Sequence, residues 1–437
     1  MTRPPFAAII RLLLIAAAGL AAAGQAQPSA APTRTVPDRA AGARVTTETF
    51  IEAIARDAAE YARQHGVTLV EAARRLRAQE QSVPFTDALR ETYRERLAGI
   101  VVEHQPVYRI VVLLAGDDPV PDQRIAAGGL EVPIVFRTGA PASRAAILGA
   151  IAAHGAEIAT LFPRRPGLGA DPRTGTLVVV APQFELPQDE ADALGARVAG
   201  IAGVPATVRV PGRADRELQV QGGGRLEGVE PTDGRRYACT AGYVVTDGLR
   251  DALVTAAHCP DALSYREADG SQVALAFAGQ WGARYQDVQL GLSAAPLPPL
   301  FLADGAKSLA RAVATWRNRD SMRAGDFVCH RGERSGYSCA TVDLVDYAPP
   351  GELCGGPCDP SWIAVSGPAC RPGDSGGPVF LGGTAFGILK GGSYRRDGTC
   401  SFYYYMPVDY LPAGWRLAIG GPPAKAPAQQ RTPTGER

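Results

Sequence analysis

Residues 370 to 380 read C-R-P-G-D-S-G-G-P-V-F, a cysteine followed by three glycines set around one serine. Glycine adopts backbone conformations closed to other residues, so this run permits a tight turn. Such a turn presents Ser375 and lets the amides of Gly373 and Ser375 converge on one oxygen. Alone the string could be a plain turn. It is accompanied by T-A-A-H-C at 255 to 259, where a strand ends in His258 beside a cysteine, and by Asp287 in Y-Q-D-V-Q-L. A serine hydroxyl is a poor nucleophile at neutral pH. It needs a base to take its proton, a carboxylate to orient that base, and donors for a developing oxyanion. The second half of the chain holds residue types for all of these.

Working outward, short strands such as G-Y-V-V-T, A-L-V-T-A-A and D-F-V-C-H alternate with Gly, Asp and Pro turns, so residues 236 to 417 read as all-β. All eight cysteines lie here, at 239, 259, 329, 339, 354, 358, 370 and 400, and an even count behind an export signal suggests disulfides. A zinc reading of Cys354 and Cys358 lacks a His-rich partner segment at the right spacing. The opening residues M-T-R-P-P-F-A-A-I-I-R precede a short apolar run and small residues near Gly24 and Ala26. This is the pattern of a signal peptide over 1 to 26, followed by a Pro/Ala-rich linker to 45. A retained anchor is disfavoured because Arg11 interrupts a run already shorter than the roughly 20 residues a bilayer needs.

Residues 46 to 100 carry apolar positions at helical spacing. Gly66 can end one helix, and Thr68 with Glu71 forms a capping-box pattern that starts the next. From 107 the period becomes strand-like in V-Y-R-I-V-V-L-L-A and P-I-V-F-R. An Ala-rich helix from about Ser143, the strand T-L-V-V-V, a helix from about Gln188 and the strand A-T-V-R-V follow, making a small α/β unit up to residue 210. His154 on the Ala-rich helix reads as structural. Residues 211 to 235, rich in Gly, Arg and Asp, read as a connector open to proteolysis, and 418 to 437 as a disordered tail. With 45 basic and 44 acidic residues the net charge is +1, which gives no footprint for nucleic acid or an anionic membrane surface.

The segments C-T-A-G-Y-V-V at 239 to 245, T-A-A-H-C, C-H-R-G-E-R-S-G-Y-S-C at 329 to 339 and C-R-P-G-D-S-G-G-P-V-F, then G-I-L-K-G-G-S, together resemble the trypsin/chymotrypsin superfamily of serine proteases. They come closest to its streptogrisin and alpha-lytic protease branch. The resemblance implies a two-barrel chymotrypsin-like fold preceded by an α/β pro-region that acts as folding catalyst and inhibitor. It implies His258 as general base, Asp287 as its orienting carboxylate, Ser375 as nucleophile, and Gly373 with Ser375 as oxyanion hole. It also implies disulfides Cys239 to Cys259, Cys329 to Cys339 and Cys370 to Cys400, leaving Cys354 with Cys358. The first would stabilise by about 3 kcal/mol on loop-entropy grounds.

Two positions depart from the family pattern. Asp374 needs a cationic partner if the turn buries it, yet the position after Cys329 that usually supplies an Arg is His330, with Arg331 next. Lys390 stands where the family usually has a serine beneath the catalytic Asp, and a cation there can compete for the Asp287 carboxylate. Lys390, Gly391, Gly392 and Tyr403 are expected at the substrate pocket. Arg371 would repel a cationic substrate there, and a bulky ring at Tyr403 would shorten the pocket so that a small neutral residue is preferred. If Tyr403 instead points into the barrel, the pocket stays deep.

The resulting expectation is a secreted, monomeric endopeptidase that acts on proteins or peptides without a cofactor or metal and without stable membrane insertion once the signal is removed. The competing readings are a protease-like binding or scaffold protein without turnover, and a first half kept as a permanent regulatory domain.

Overall fold

The computed structural model describes residues 45–181, 186–210, 216–217, 224–229, 234–266, 271–351, 353–367, 369–395 and 400–420. The signal peptide, the linker up to residue 44 and the tail beyond 420 lie outside the described residues.

Among the described residues there are five α-helices, all in the first half. α1 (Phe50–His65) starts at a full capping box, Thr49 and Glu52 each bonding the other's main-chain N–H, and ends at Gly66, whose φ of 65° suits a glycine C-cap. α2 (Leu69–Gln81) begins at Thr68, whose hydroxyl accepts the Glu71 N–H. α3 (Val83–Thr92), α4 (Arg144–Ala159, capped by Ser143) and α5 (Gln188–Ala202) complete the set. None of the helices among the described residues is long and apolar enough to cross a membrane.

The helical reading of 46 to 100 is too long at both ends. Thr46–Glu48 is a strand parallel to Leu309–Ala312. Leu97–Glu103, rich in β-branched residues and almost wholly buried, pairs antiparallel with Arg109–Ala115, and tertiary pairing overrides helical spacing there. Leu130–Ala140 and Gln123–Ala127 complete that four-stranded sheet. His154 is half-exposed on α4, and its Nδ1 lies 3.8 Å from Glu157 one turn on. It is therefore a partly solvated side chain with an acidic neighbour.

Beyond residue 224 the chain is β. Arg236–Thr240, Arg225–Val229, Leu263–Arg266 and Gln272–Ala274 form one antiparallel sheet. Ala276–Trp281, Val288–Leu292, Asp251–Thr255, Val244–Thr246 and Arg416–Leu417 form the next. Leu226, Cys239, Ala256, Cys259, Leu263 and Leu275 are buried together in the first of these cores. Part of the connector expected at 211 to 235 is thus structured: Arg225–Val229 is an interior strand of this sheet, paired on one side with Arg236–Thr240 and on the other with Leu263–Arg266, with Leu226 in the core.

The second barrel closes on itself. Phe327–Gly332, Pro378–Leu381, Thr384–Tyr394, Cys400–Pro407, Trp362–Ser366 and Gly336–Ala348 pair in that order, and Gly336–Ala348 pairs back to Phe327–Gly332. The far end of Gly336–Ala348 also pairs with Gly167–Asp171, so Gly167–Asp171, Thr176–Val180 and Ala206–Arg209 extend the barrel wall into the first half. Disulfides join Cys239–Cys259, Cys329–Cys339, Cys354–Cys358 and Cys370–Cys400.

Buried charges tie α1 and α2 to this barrel. Arg311 donates to Glu48 at 2.7 Å and to Asp57 at 3.0 Å, and Asp57 also accepts the Tyr337 hydroxyl at 2.6 Å and the Gly382 N–H at 2.6 Å. Arg323 bonds the Gln79 carbonyl at 2.6 Å, Ser82 at 2.9 Å and Asp326 at 2.9 Å, while the Gln79 side chain bonds both the N–H and the carbonyl of Phe327. Next to these, the Tyr61 hydroxyl lies 2.7 Å from His104 Nδ1, and His104 Nε2 lies 2.6 Å from the Gly325 carbonyl. A carbonyl only accepts, so Nε2 carries the proton and Tyr61 donates to Nδ1. Burial pushes the imidazole of His104 down to about 4.

Two outcomes follow from these contacts. Asp57→Asn should destabilise the protein by about 3–5 kcal/mol, because it leaves the buried Arg311 charge half-paired. Glu91→Gln, which breaks an exposed pair with Arg94, should cost under about 1 kcal/mol. Equal losses in denaturant melts would refute the difference. For His104 the unfolded chain binds a proton below about 6.5, whereas the folded chain binds it only near 4, so stability is full above that window and falls as pH drops through it. His104→Gln should therefore lose up to about 3 kcal/mol less than the parent between pH 7 and pH 4. Unfolding curves that fall in parallel for the two proteins would contradict this.

Candidate active site

The strand Asp251–Thr255 ends where A-A-H-C begins to turn, and the Cys259 N–H bonds the Ala256 carbonyl at 3.2 Å. The Cys239–Cys259 disulfide pins that turn to the strand Arg236–Thr240 and leaves the His258 side chain 12% exposed. Asp287 immediately precedes Val288–Leu292, whose antiparallel register sets Thr255 opposite Gln289, so strand pairing brings Asp287 to the same turn. Ser375 comes from the second barrel, in the turn before Pro378–Leu381. Gly376 follows it at φ 84°, and a Cβ there would stand 2.3 Å from the Thr240 carbonyl oxygen, so only glycine fits. The Ser375 carbonyl accepts the Thr240 N–H at 2.7 Å, which fastens the turn to the first β-sheets.

These elements bring three side chains into one line. His258 Nδ1 lies 2.9 Å from Asp287 Oδ2, its main-chain N–H donates to Oδ1 at 3.2 Å, and Nε2 lies 3.0 Å from Ser375 Oγ. With Nδ1–H given to the carboxylate, Nε2 is left to accept the serine proton, and such a chain can pass that proton from Oγ to the imidazole. Ser375 Oγ is also 3.4 Å from the Lys390 carbonyl. Asp287 and Ser375 are buried. Burial alone would raise the Asp287 carboxyl, but the charges of His258 and Lys390 outweigh it and hold the group well below the usual carboxylate range.

Lys390 lies in the wholly buried strand Thr384–Tyr394, and its ammonium is 3.2 Å from Asp287 Oδ2. It faces the ring of Trp362 at 5.3 Å. Met406 Sδ accepts the Asp287 N–H at 3.3 Å. Trp362 and Met406 carry no motif, and the sequence reading passed over both. The lysine in a mostly apolar strand was the one signal in the sequence, because a buried cation calls for an acidic partner.

Asp374 is buried and accepts three main-chain N–H groups, from Arg334 at 3.0 Å, Ser335 at 3.1 Å and Arg371 at 2.7 Å. His330 does not act as its cation. It is wholly buried, bonds Ser335 Oγ at 3.1 Å, and burial pushes its imidazole down to about 4, so it is neutral at neutral pH. Tyr403 is fully buried and sets its ring against His330 at 4.6 Å, and a Cβ on Gly367 would stand 3.0 Å from that ring. Its main chain pairs with Gly392, where a Cβ would meet the Cys370 sulfur at 2.7 Å. Lys390, Gly391, Gly392 and Tyr403 thus line adjoining strands, and Arg371 is exposed at the surface. Along Gly391 and Gly392 runs the short antiparallel strand Arg216–Glu217, from the segment that joins the two halves.

No family model matches the chain. Streptogrisin-C of Streptomyces griseus is 26% identical over 204 residues, 44% of this chain. The match spans 41% of that relative's length. Among solved structures, Thermobifida fusca protease A is 21% identical, with 46% of this chain and 99% of that one covered and a TM-score of 0.36. Cellulomonas bogoriensis chymotrypsin is 22% identical over 46% of this chain and 99% of its own, with a TM-score of 0.34. The resemblance carried by the motifs at 239–245, 255–259 and 370–380 is shared by the sequence comparison: the chain is similar to chymotrypsin-like serine proteases of the streptogrisin branch.

Proposed function

We propose that this chain is a secreted serine endopeptidase that hydrolyses peptide bonds through an acyl-enzyme. The observation that carries the reading is the bridge made by His258, 2.9 Å from Asp287 and 3.0 Å from Ser375, with both of its partners buried. In this reading His258 takes the Ser375 proton as Oγ attacks the carbonyl carbon, and Asp287 holds the imidazole in the productive tautomer. The amides of Gly373 and Ser375 receive the oxyanion. His258 then protonates the leaving amine, and water repeats the sequence to free the acid. No step calls for a metal or cofactor.

Residues 46–210 act as a pro-region in this reading. The strand Arg216–Glu217 on Gly391–Gly392 supports an inhibitory role, because a substrate main chain adds to a sheet edge in the same antiparallel way. The rival reading, a protease-like binding protein without turnover, draws on Lys390, whose ammonium shares Asp287 Oδ2 with His258. The enzyme reading is favoured because the His258 contacts to both partners are kept.

Ser375→Ala and His258→Ala should each reduce peptide hydrolysis to the residual of about 10³–10⁴ over water left by binding and oxyanion contacts. Both variants should also accumulate as uncut precursor where the parent is cut between about residues 211 and 238. Hydrolysis at the parent rate by either variant, free of contaminating protease, would rule the assignment out. The Tyr403 ring, packed between His330 and Gly367, supports a shallow pocket and a preference for Ala, Val or Thr before the scissile bond. Substrates ending in those residues should exceed Phe- and Arg-ending ones in kcat/KM, and Tyr403→Gly should shift preference toward Phe or Leu. Dominant cleavage after Arg or Lys by the parent would show that the pocket is otherwise built.

A further inference from the structure

One acceptor oxygen in the site serves two nitrogen donors. Asp287 Oδ2 takes His258 Nδ1 at 2.9 Å and Lys390 Nζ at 3.2 Å, while Oδ1 takes only the neutral main-chain N–H of His258 at 3.2 Å among the contacts described. The ammonium of a fully buried lysine is stabilised by a carboxylate or an aromatic face beside it. Here both are present, Asp287 on one side and the Trp362 ring at 5.3 Å. The side chain has little freedom to leave, since its strand is buried throughout and its own carbonyl lies 3.4 Å from Ser375 Oγ. Among the described residues, the charged or titratable groups that face Asp287 are His258, from the turn after Asp251–Thr255, and Lys390, from Thr384–Tyr394. Met406 on Cys400–Pro407 reaches it with a neutral sulfur, and Trp362 on Trp362–Ser366 is neutral. The nearby Asp374 is engaged by three main-chain N–H groups.

During acyl transfer His258 becomes an imidazolium, and in the ordinary arrangement it would have the whole Asp287 charge to itself. With an ammonium already on the same oxygen, part of that charge is neutralised, and the second cation is less favoured than the first. We propose that Lys390 is a positioning residue that shares Asp287 with His258, keeps the imidazole unprotonated into acidic solution, and so extends the working range of the site toward low pH. The inference rests on the triad reading above. It assigns Lys390 the opposite of an inactivating role. The lysine trades some base strength for a base that stays available where an ordinary triad is protonated.

The test compares the exported protein with Lys390→Met, which keeps the length and removes the charge, with Lys390→Ser as a second neutral variant, and with Lys390→Arg, which keeps the charge. One readout is the acid limb of kcat/KM against pH. The other is the titration of the His258 imidazole followed by NMR in the Ser375→Ala background, where His258 is one of five histidines in the chain and is assigned by its loss in His258→Gln. The neutral variants should raise both midpoints by about one pH unit, which is roughly a tenfold loss of relative activity on the acid side, while Lys390→Arg stays near the parent. Unchanged or lowered midpoints in the neutral variants overturn the proposal, as does an Arg variant that behaves like Met. If Lys390→Met does not fold, Lys390→Ser decides. The NMR midpoint moves whether or not the protein hydrolyses peptides, so a failed peptidase reading and a failed role for Lys390 give different results.

Discussion

The Asp287 carboxylate is the joint on which the site is assembled. A charge with so little access to water persists only if donors surround it, and these come from both β units: the main-chain N–H and imidazole of His258 from the first, the Lys390 ammonium from the second. Ser375 depends on the same seam. Its turn is fastened to Thr240 of the first unit, and Gly376 must be glycine because that contact leaves no room for a Cβ. A shift of one β unit against the other would therefore lengthen the contacts from His258 to Ser375 and from Lys390 to Asp287 together, while His258 and Asp287, both carried by the first unit, stay paired.

The first half of the chain is built into the second by the same kind of constraint. Arg311 and Arg323 lie inside the protein with partners on α1 and α2, and the strand Gly336–Ala348 carries the barrel wall on into Gly167–Asp171. Cutting the connector would not by itself undo these contacts. Separation would expose buried cations and a barrel edge, and such costs make a docked first half stable after a main-chain cut. His104 and Tyr61 sit in the middle of this contact, where burial keeps the imidazole neutral, so acid loosens what neutral solution holds.

Much of this was legible in the sequence where local chemistry is specific. Gly66 ends α1, Thr68 and Ser143 cap their helices, and G-D-S-G-G marks the turn that carries Ser375. The start of the strand Leu97–Glu103, up to Ile100, was misread as helix because its apolar run fits either period, and only its partner Arg109–Ala115 decides. Arg225–Val229 was hidden by its Gly/Arg composition, since what makes it a strand is main-chain pairing to Arg236–Thr240 and Leu263–Arg266, which leaves no local sequence pattern. Lys390 was visible as an anomaly. Its partners Trp362 and Met406 were not, because they lie 28 and 16 positions away along the chain and meet it only through barrel closure.

The central claim is that His258 and Asp287 activate Ser375 as a nucleophile. The most direct measurement is covalent labelling of the purified protein, in the cut form proposed above, with a fluorophosphonate, followed by mass mapping of the adduct. The account predicts one adduct per chain, on Ser375, lost in His258→Ala while the fold is retained. An unlabelled Ser375 in folded, processed protein, or equal labelling without His258, would contradict it.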